Sequence, residues 1–192
     1  MTTRIYLLNG PNLNLLGERE PALYGHHTLA DVEARCRAVT DRHRLELIAR
    51  QTNAEHEMIA WLHEARHAAG IILNPAAFCY HSIAILDALK MCECPIVEVH
   101  ISNIYRREDW RSRSILAAAS TGVITGLGID GYRLAVEHLG TTSLTTRETI
   151  LTPAQEIAAQ ARVVTVRWDR RARKPVPFSE TERARLTAVI ER

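Results

Sequence analysis

Two short stretches of the chain carry side chains whose types and spacing suit acid–base chemistry. The first is Gly17-Glu18-Arg19-Glu20-Pro21-Ala22-Leu23-Tyr24-Gly25, a polar loop bounded by glycines that reads as a mobile cover. A nearby guanidinium favours phenolate over phenol, so Tyr24 beside Arg19 is a candidate general base. The second stretch is Glu98-Val99-His100-Ile101-Ser102-Asn103. Residues i and i+2 of a strand share a face, so Glu98 can fix the tautomer of His100 and support it as a proton donor. Arg111 can clamp a substrate carboxylate through two parallel N–H bonds. Its neighbour Arg107 reads as a partner in a structural ion pair, and Asp87 either accepts from substrate hydroxyls or faces water. Taken singly, each residue has a plainer reading: a packing tyrosine, a surface arginine, one of nine histidines. Their convergence on one rim is what argues otherwise.

The elements that must position them are short apolar runs alternating with helical patterns. Strands are expected over residues 5–8, 45–50, 70–73, 95–99 and 122–125, and helices over 29–43, 55–69, 82–90 and 129–139. Thr28 followed by Asp31 is a cap with an acidic first turn. Nearly continuous apolar strands joined by helices predict an α/β fold, a five-stranded parallel sheet of flavodoxin-like order with helices on both faces. Ligands of such sheets bind beyond the carboxyl ends of the strands. Those ends read Asn9-Gly10-Pro11-Asn12, Asn74-Pro75-Ala76-Ala77 and His100-Ile101-Ser102-Asn103. Amides, an imidazole and a hydroxyl gathered there want a polar ligand or one another.

The whole chain sets bounds on function. Its 192 residues, 46% hydrophobic and 24% charged, suit one catalytic domain over 1–140 and an extension over 141–192. The extension reads as helix 153–161, strand 163–168 and helix 179–190, capped by Ser179 and Glu182, and is expected to pack on an oligomer exterior or add an interface. A net charge of +2 is too mild for a nucleic-acid partner. Arg170, Arg171, Arg173 and Lys174 read as a solvated loop. No run approaches the roughly 18 apolar residues needed to span a bilayer, and the N-terminal run, broken by Asn9, Gly10 and Pro11, reads as a strand and not a signal peptide. A cytoplasmic location is expected. Cys36, Cys79, Cys92 and Cys94 show no paired metal spacing, so no metal is expected. Gly126-Leu127-Gly128 reads as a tight strand-to-helix turn more than as a phosphate loop.

Together the segments NGPNLNLLGEREPALYG, ILNPAA, PIVEVHISNIYRRE and TGVITGLGIDGYRLA resemble, in order and spacing, the type II dehydroquinases, over about residues 4–140. The resemblance implies a flavodoxin-like subunit, a trimer-based dodecamer, and neither cofactor nor metal. It implies dehydration of 3-dehydroquinate to 3-dehydroshikimate by anti elimination through an enolate, in the shikimate pathway of aromatic biosynthesis or in quinate catabolism. Tyr24 would be the base, Arg19 would hold it as phenolate, and Asn12 would position a water on the enolate oxygen. His100, oriented by Glu98, would protonate the departing hydroxyl. Asn74, Ile101, Ser102 and Arg111 would hold the substrate, and Asp87 would reach a neighbouring subunit's substrate. The chain departs from the family pattern after ILN. Aligned without gaps, the substrate-binding histidine falls on Tyr80, and His81 comes one residue later, about 100° around a helical turn. Tyr80 is therefore expected to substitute, with His81 kept as a second binding candidate. Leu86 replaces the usual arginine before Asp87, and Tyr105 a common histidine. Two alternatives stand beside the leading reading. One is a related lyase or cyclase acting on another polyhydroxy keto acid. The other is a non-catalytic binding protein of the same fold.

Overall fold

The computed structural model describes residues 4–140 and, past them, the backbone of residues 146–151, 157–163, 168–169 and 174–175. The chain divides into two compact units, residues 1–140 and 141–192. The first contains five strands, β1 (Arg4–Asn9), β2 (Glu46–Gln51), β3 (Gly70–Asn74), β4 (Ile96–His100) and β5 (Gly122–Thr125). All pair in parallel, in the order β2-β1-β3-β4-β5. The helices are α1 (Pro21–Tyr24), α2 (Leu29–Arg42), α3 (Glu55–Ala65), α4 (Ile83–Lys90) and α5 (Asp130–Gly140). This is the flavodoxin-like sheet expected from the pattern of apolar runs.

Two hydrophobic layers form because side chains alternate across a strand. Ile5, Leu7, Ile72, Val97 and Val99 face α2 and α5, where they meet Val32, Cys36, Val39, Ala135 and Val136. Tyr6, Leu8, Ile71, Leu73 and Ile96 face the other way onto Met58, Leu62, Ile85 and Leu89 of α3 and α4. With both faces covered, β3 and β4 are buried along their whole length. Helix starts follow local chemistry. Thr28 accepts from the Asp31 N–H while Asp31 accepts from the Thr28 N–H, closing a capping box on α2. The Ser82 hydroxyl accepts from the Ile85 N–H and opens α4. Helix α3 ends at Ala65, short of the expected 69, because the Ala69 N–H is taken by the Arg4 carbonyl where β3 begins.

Where the sheet meets its loops, polar groups are tied off in pairs. Asn9 and Asn74 lie side by side in register. The Asn74 Nδ2 donates to the Tyr132 hydroxyl (2.6 Å), which donates to the Asn9 Oδ1 (2.9 Å). Tyr132 sits fully buried on α5, and burial holds it as the neutral phenol. Beyond Asn9, Gly10 runs against the next loop so closely that a Cβ there would lie 2.2 Å from the Pro75 carbonyl oxygen.

In the second unit the helix expected over 153–161 lies partly outside the described residues, and over 157–161 the backbone is extended instead. Ile157–Val163 is a strand, β7, pairing antiparallel with β6 (Thr146–Leu151). Ile157, Ala159, Ala161 and Val163 alternate with Ala158, Gln160 and Arg162, and pairing with a β-branched partner overrides the helix propensity of alanine. Of the strand expected over 163–168, Val163 closes β7. Trp168 opens β8 (Trp168–Asp169), which pairs with β9 (Lys174–Pro175). The helix expected over 179–190 lies outside the described residues.

Three substitutions test this frame. Gly10→Ala should cost about 3 kcal/mol in urea unfolding, the overpacking range, while Gly122→Ala, whose Cβ meets nothing within 4 Å, should stay within about 0.5 kcal/mol of the parent. Tyr132→Phe leaves two buried amides short of a partner and should cost about 1–3 kcal/mol. Loss of stability no greater than for Gly122→Ala would show that the tie contributes nothing.

Candidate active site

Three strand ends and one loop enclose a cavity of about 120 Å³. From β1 come Pro11, Asn12 and Leu13, from β3 Asn74 and Ala76, and from β4 His100, Ile101 and Ser102, with Arg19 and Tyr24 supplied by the 17–25 loop. The backbone here is held in costly shapes. Asn12 (φ 67°) and Ala76 (φ 48°) line the cavity, and Glu20 (φ 44°) lies in the covering loop, all in the left-handed region that costs a non-glycine residue about 1–2 kcal/mol. Such residues persist where their surroundings enforce them. The Asn12 N–H is held by Asn53 Oδ1 (2.8 Å), and Gln51 Nε2 donates to both the Gly10 carbonyl (3.2 Å) and Asn53 (3.1 Å). The Ala76 N–H donates to Asn74 Oδ1 (3.2 Å).

On one side of the cavity stands Tyr24. The sequence assigned its cation to Arg19, and the structure gives the direct contact to Arg107. Arg107 Nη1 donates to the Tyr24 hydroxyl at 2.7 Å, whereas the Arg19 guanidinium lies 5.7 Å from the ring centroid with its Nε on Glu20 (3.3 Å). Arg107 is also the better sheltered, 15% exposed against 38%. Burial works against its charge, but the bond to Tyr24 and the charges of Tyr24, Glu108 and Glu20 raise its pKa overall. The ion pair expected of it is present but long, 3.6 Å to Glu108. Arg107 is thus a site residue that the sequence read as an ion-pair partner, or at most as a clamp for an acidic substrate, and not as the cation on Tyr24.

The same cavity is lined by His100, its Nε2 2.6 Å from Glu98 Oε1. Glu98 does not line the cavity; it is fully buried, with its other oxygen accepting from the Ser120 hydroxyl (3.3 Å). The pairing across two strand residues is as expected.

The remaining candidates separate. Asn74, Ile101, Ser102, Tyr80 and Arg111 line the cavity, although both ends of the Asn74 amide already make the internal bonds described above. Tyr80 lies on a 3-10 turn, Ala76–Tyr80, and packs edge-on to Trp110 (5.7 Å between centroids), with the Arg111 guanidinium 6.0 Å from its ring. Burial, aided by Cys79 and opposed by Arg111 and Arg107, pushes the Tyr80 phenol up to about 12, so it is a neutral hydroxyl. His81 is exposed, outside the cavity and edge-on to Phe78 at 6.3 Å. One residue further along a tight turn rotates it away. Asp87 also lies outside, exposed on α4 and 3.4 Å from Lys90.

The arrangement offers a phenol held by a cation, an imidazole backed by a carboxylate, and amide and guanidinium donors along the same lining. That is equipment for taking a proton from a polar anion and supplying one to it.

Comparison with known proteins agrees. The family described as Dehydroquinase class II matches residues 3–140. A protein of Agrobacterium fabrum named 3-dehydroquinate dehydratase 2 is 56% identical over 134 residues, covering 69% of this chain and 91% of its own. A 3-dehydroquinate dehydratase of Salinispora arenicola is 52% identical over 137 residues, 71% of this chain and 96% of its own. Among solved structures, the type II dehydroquinase of Propionibacterium acnes superposes with a TM-score of 0.68 at 44% identity, over 73% of this chain and 97% of that one. That of Butyrivibrio crossotus gives 0.70 at 34% identity, over 73% and 99%. Fold, site and similarity lead to one conclusion: the chain belongs to the class II dehydroquinase family.

Proposed function

We propose that this chain dehydrates 3-dehydroquinate to 3-dehydroshikimate by anti elimination through an enolate. The observation that carries the reading is that Tyr24, bonded to Arg107, and His100, bonded to Glu98, line one cavity. Tyr24 as phenolate takes a proton from the carbon beside the ketone. The electrons of that C–H bond form the enolate, whose oxygen is met by a water held by Asn12. The enolate then collapses, the C–O bond to the ring hydroxyl breaks, and His100 delivers a proton to the leaving oxygen. Arg19 and Arg107 together supply the positive field that favours phenolate. Arg111, Ser102, the Ile101 backbone and Asn74 hold the carboxylate and hydroxyls, with Tyr80 as a neutral hydroxyl where the family pattern has histidine. His81, turned outward, has no part in binding.

Asp87 belongs to assembly. It lies between Ile83 and Met91 on one face of α4, and these are 66% and 59% exposed. An apolar stripe with a carboxylate at its centre suits a protomer interface, and supports a trimer-based dodecamer in which Asp87 reaches a neighbour's site. Residues 1–140 form the catalytic unit and 141–192 an added assembly element. Among the described residues no helix is long and apolar enough to cross a membrane. The cytoplasm and the shikimate pathway of aromatic biosynthesis are the proposed setting.

Purified protein mixed with 3-dehydroquinate should generate the absorbance of a conjugated enone. Silence from well-folded protein would favour a different polyhydroxy keto acid as substrate. Tyr24→Phe should lower kcat by roughly 10²–10⁴-fold, the range for loss of a general base, with substrate still bound. Arg107→Gln should lower kcat by roughly 10–100-fold, as loss of a charged hydrogen bond does. Arg19→Gln should cost less. The reverse order would return the holding role to Arg19.

A further inference from the structure

Beside the cavity, Cys79, which the reaction does not use, converges on the Glu98–His100 pair. Cys79, fully buried on the Ala76–Tyr80 turn, brings its thiol within 4.8 Å of a carboxylate oxygen of Glu98 and a ring nitrogen of His100, and those two atoms are as close to each other. Thiolate sulfur, imidazole nitrogen and carboxylate oxygen bind zinc-like cations at about 2.0–2.3 Å in tetrahedral geometry. Bonds of that length set neighbouring ligand atoms about 3.3–3.8 Å apart, so the three need shift by about an ångström to close on one ion. The Nε2–Oε1 pair, now 2.6 Å apart, would open as the metal takes the place of the proton between them.

The surroundings of the sulfur hold donors a bound thiolate would use. Burial and the charge of Glu98 push the Cys79 thiol up to about 12, so a cation would have to displace its proton. The hydroxyls of Tyr80 and Ser114 work the other way, and Ser114 Oγ is buried and makes no hydrogen bond of good geometry. A metal-bound thiolate keeps lone pairs that accept from such donors, and outer partners of this kind strengthen a site. Charge also balances. A divalent cation with one thiolate, one carboxylate and a neutral imidazole sums to zero, so filling the site buries no unpaired charge.

We propose that Cys79, Glu98 and His100 form a site for one thiophilic divalent cation of the zinc type, and that filling it switches the enzyme off. The ion would bind Nε2 of His100 in place of Glu98. The ring would then keep its remaining proton on Nδ1 as a neutral ligand, and giving that proton up would leave an imidazolate. It could no longer protonate a departing hydroxyl. The inhibitory half rests on the reading of His100 as the acid; the binding half does not.

Cobalt(II) is the probe, because thiolate ligation gives it an ultraviolet charge-transfer band and tetrahedral ligation gives strong visible bands. Full-length protein, stripped by a chelator, is titrated with cobalt while turnover of 3-dehydroquinate is followed. One equivalent should bind with the thiolate band, turnover should fall about tenfold or more as the site fills, and a chelator should restore it. Cys79→Ser and Cys79→Ala should lose the band, bind cobalt roughly 100-fold more weakly, and turn over indifferently to it. Since a buried change can unsettle folding, anomalous scattering from cobalt-soaked crystals of the unaltered protein supplies a separate reading, with its peak expected among the three ligands. No thiolate band in the unaltered protein, a band surviving both substitutions, or a peak elsewhere would overturn the site. Cobalt bound with the band but turnover undiminished would overturn the inhibition, and would count against His100 as the acid while leaving the site intact.

Discussion

The phenol of Tyr132 accepts from Asn74 and donates to Asn9, and so joins the carboxyl ends of β1 and β3 to α5. Both amides sit on strands buried on two faces, where an unpaired polar group costs several kcal/mol by transfer to an apolar medium. Each has its partner only if the two strands end in register and α5 lies where it does. The loops that build the site start at these two residues, so their origins are set before any loop conformation is chosen. Gly10 then passes within touching distance of Pro75, and the left-handed residues Asn12 and Ala76 are held by Asn53 and Asn74. Strain at the rim is supported from the floor.

The two halves of the proton-transfer pair are mounted differently. His100 closes a strand with no freedom beneath it, and its carboxylate partner is fully buried in the same strand. Tyr24 closes a four-residue helix with no buried residue of its own, in a loop between Gly17 and Gly25, both at positive φ. Tyr24 packs, half-buried, against the core, and the bond from Arg107 fastens its hydroxyl, with Arg19 over the same ring. A base carried on a cover and fastened by charge can release and return with substrate, while the acid stays still.

Much of this was legible in the chain. Five parallel strands came within a residue or two of their expected bounds, because buried parallel strands are nearly pure apolar runs. Tyr24, Asn12 and the Glu98–His100 pair were readable because they stand on strand ends or short loops, where sequence spacing is spatial spacing. Arg107 was not, since its partner is 83 residues away and nothing local separates it from Arg106 or Arg111. Tyr132 was hidden as one apolar residue of an amphipathic helix. Gln51 and Asn53 carried no signal, because their bonds to Gly10 and Asn12 reach 41 residues back along the chain. The Cys79 cluster joins a 3-10 turn to a strand about twenty residues on, and no metal spacing announces it. Alanine-rich residues 157–161 misled in the opposite sense, because strand pairing is decided by a partner that local propensity does not see.

The Ala76–Tyr80 turn carries a coupling that no single residue shows. A 3-10 helix advances about 120° per residue, so consecutive side chains take different directions. Phe78 goes to the core, Cys79 to the Glu98–His100 pair and Tyr80 into the cavity, while His81, past the end of the turn with non-helical backbone, goes out to solvent. Tyr80 and Cys79 also interact directly, each acting on the other's ionisation. A change at Tyr80 that altered substrate fit would therefore be felt at Cys79, and through it at the carboxylate that orients His100. Five residues thus set both what the cavity holds and what lies under its acid. A family that varies this turn would be expected to vary its residues together.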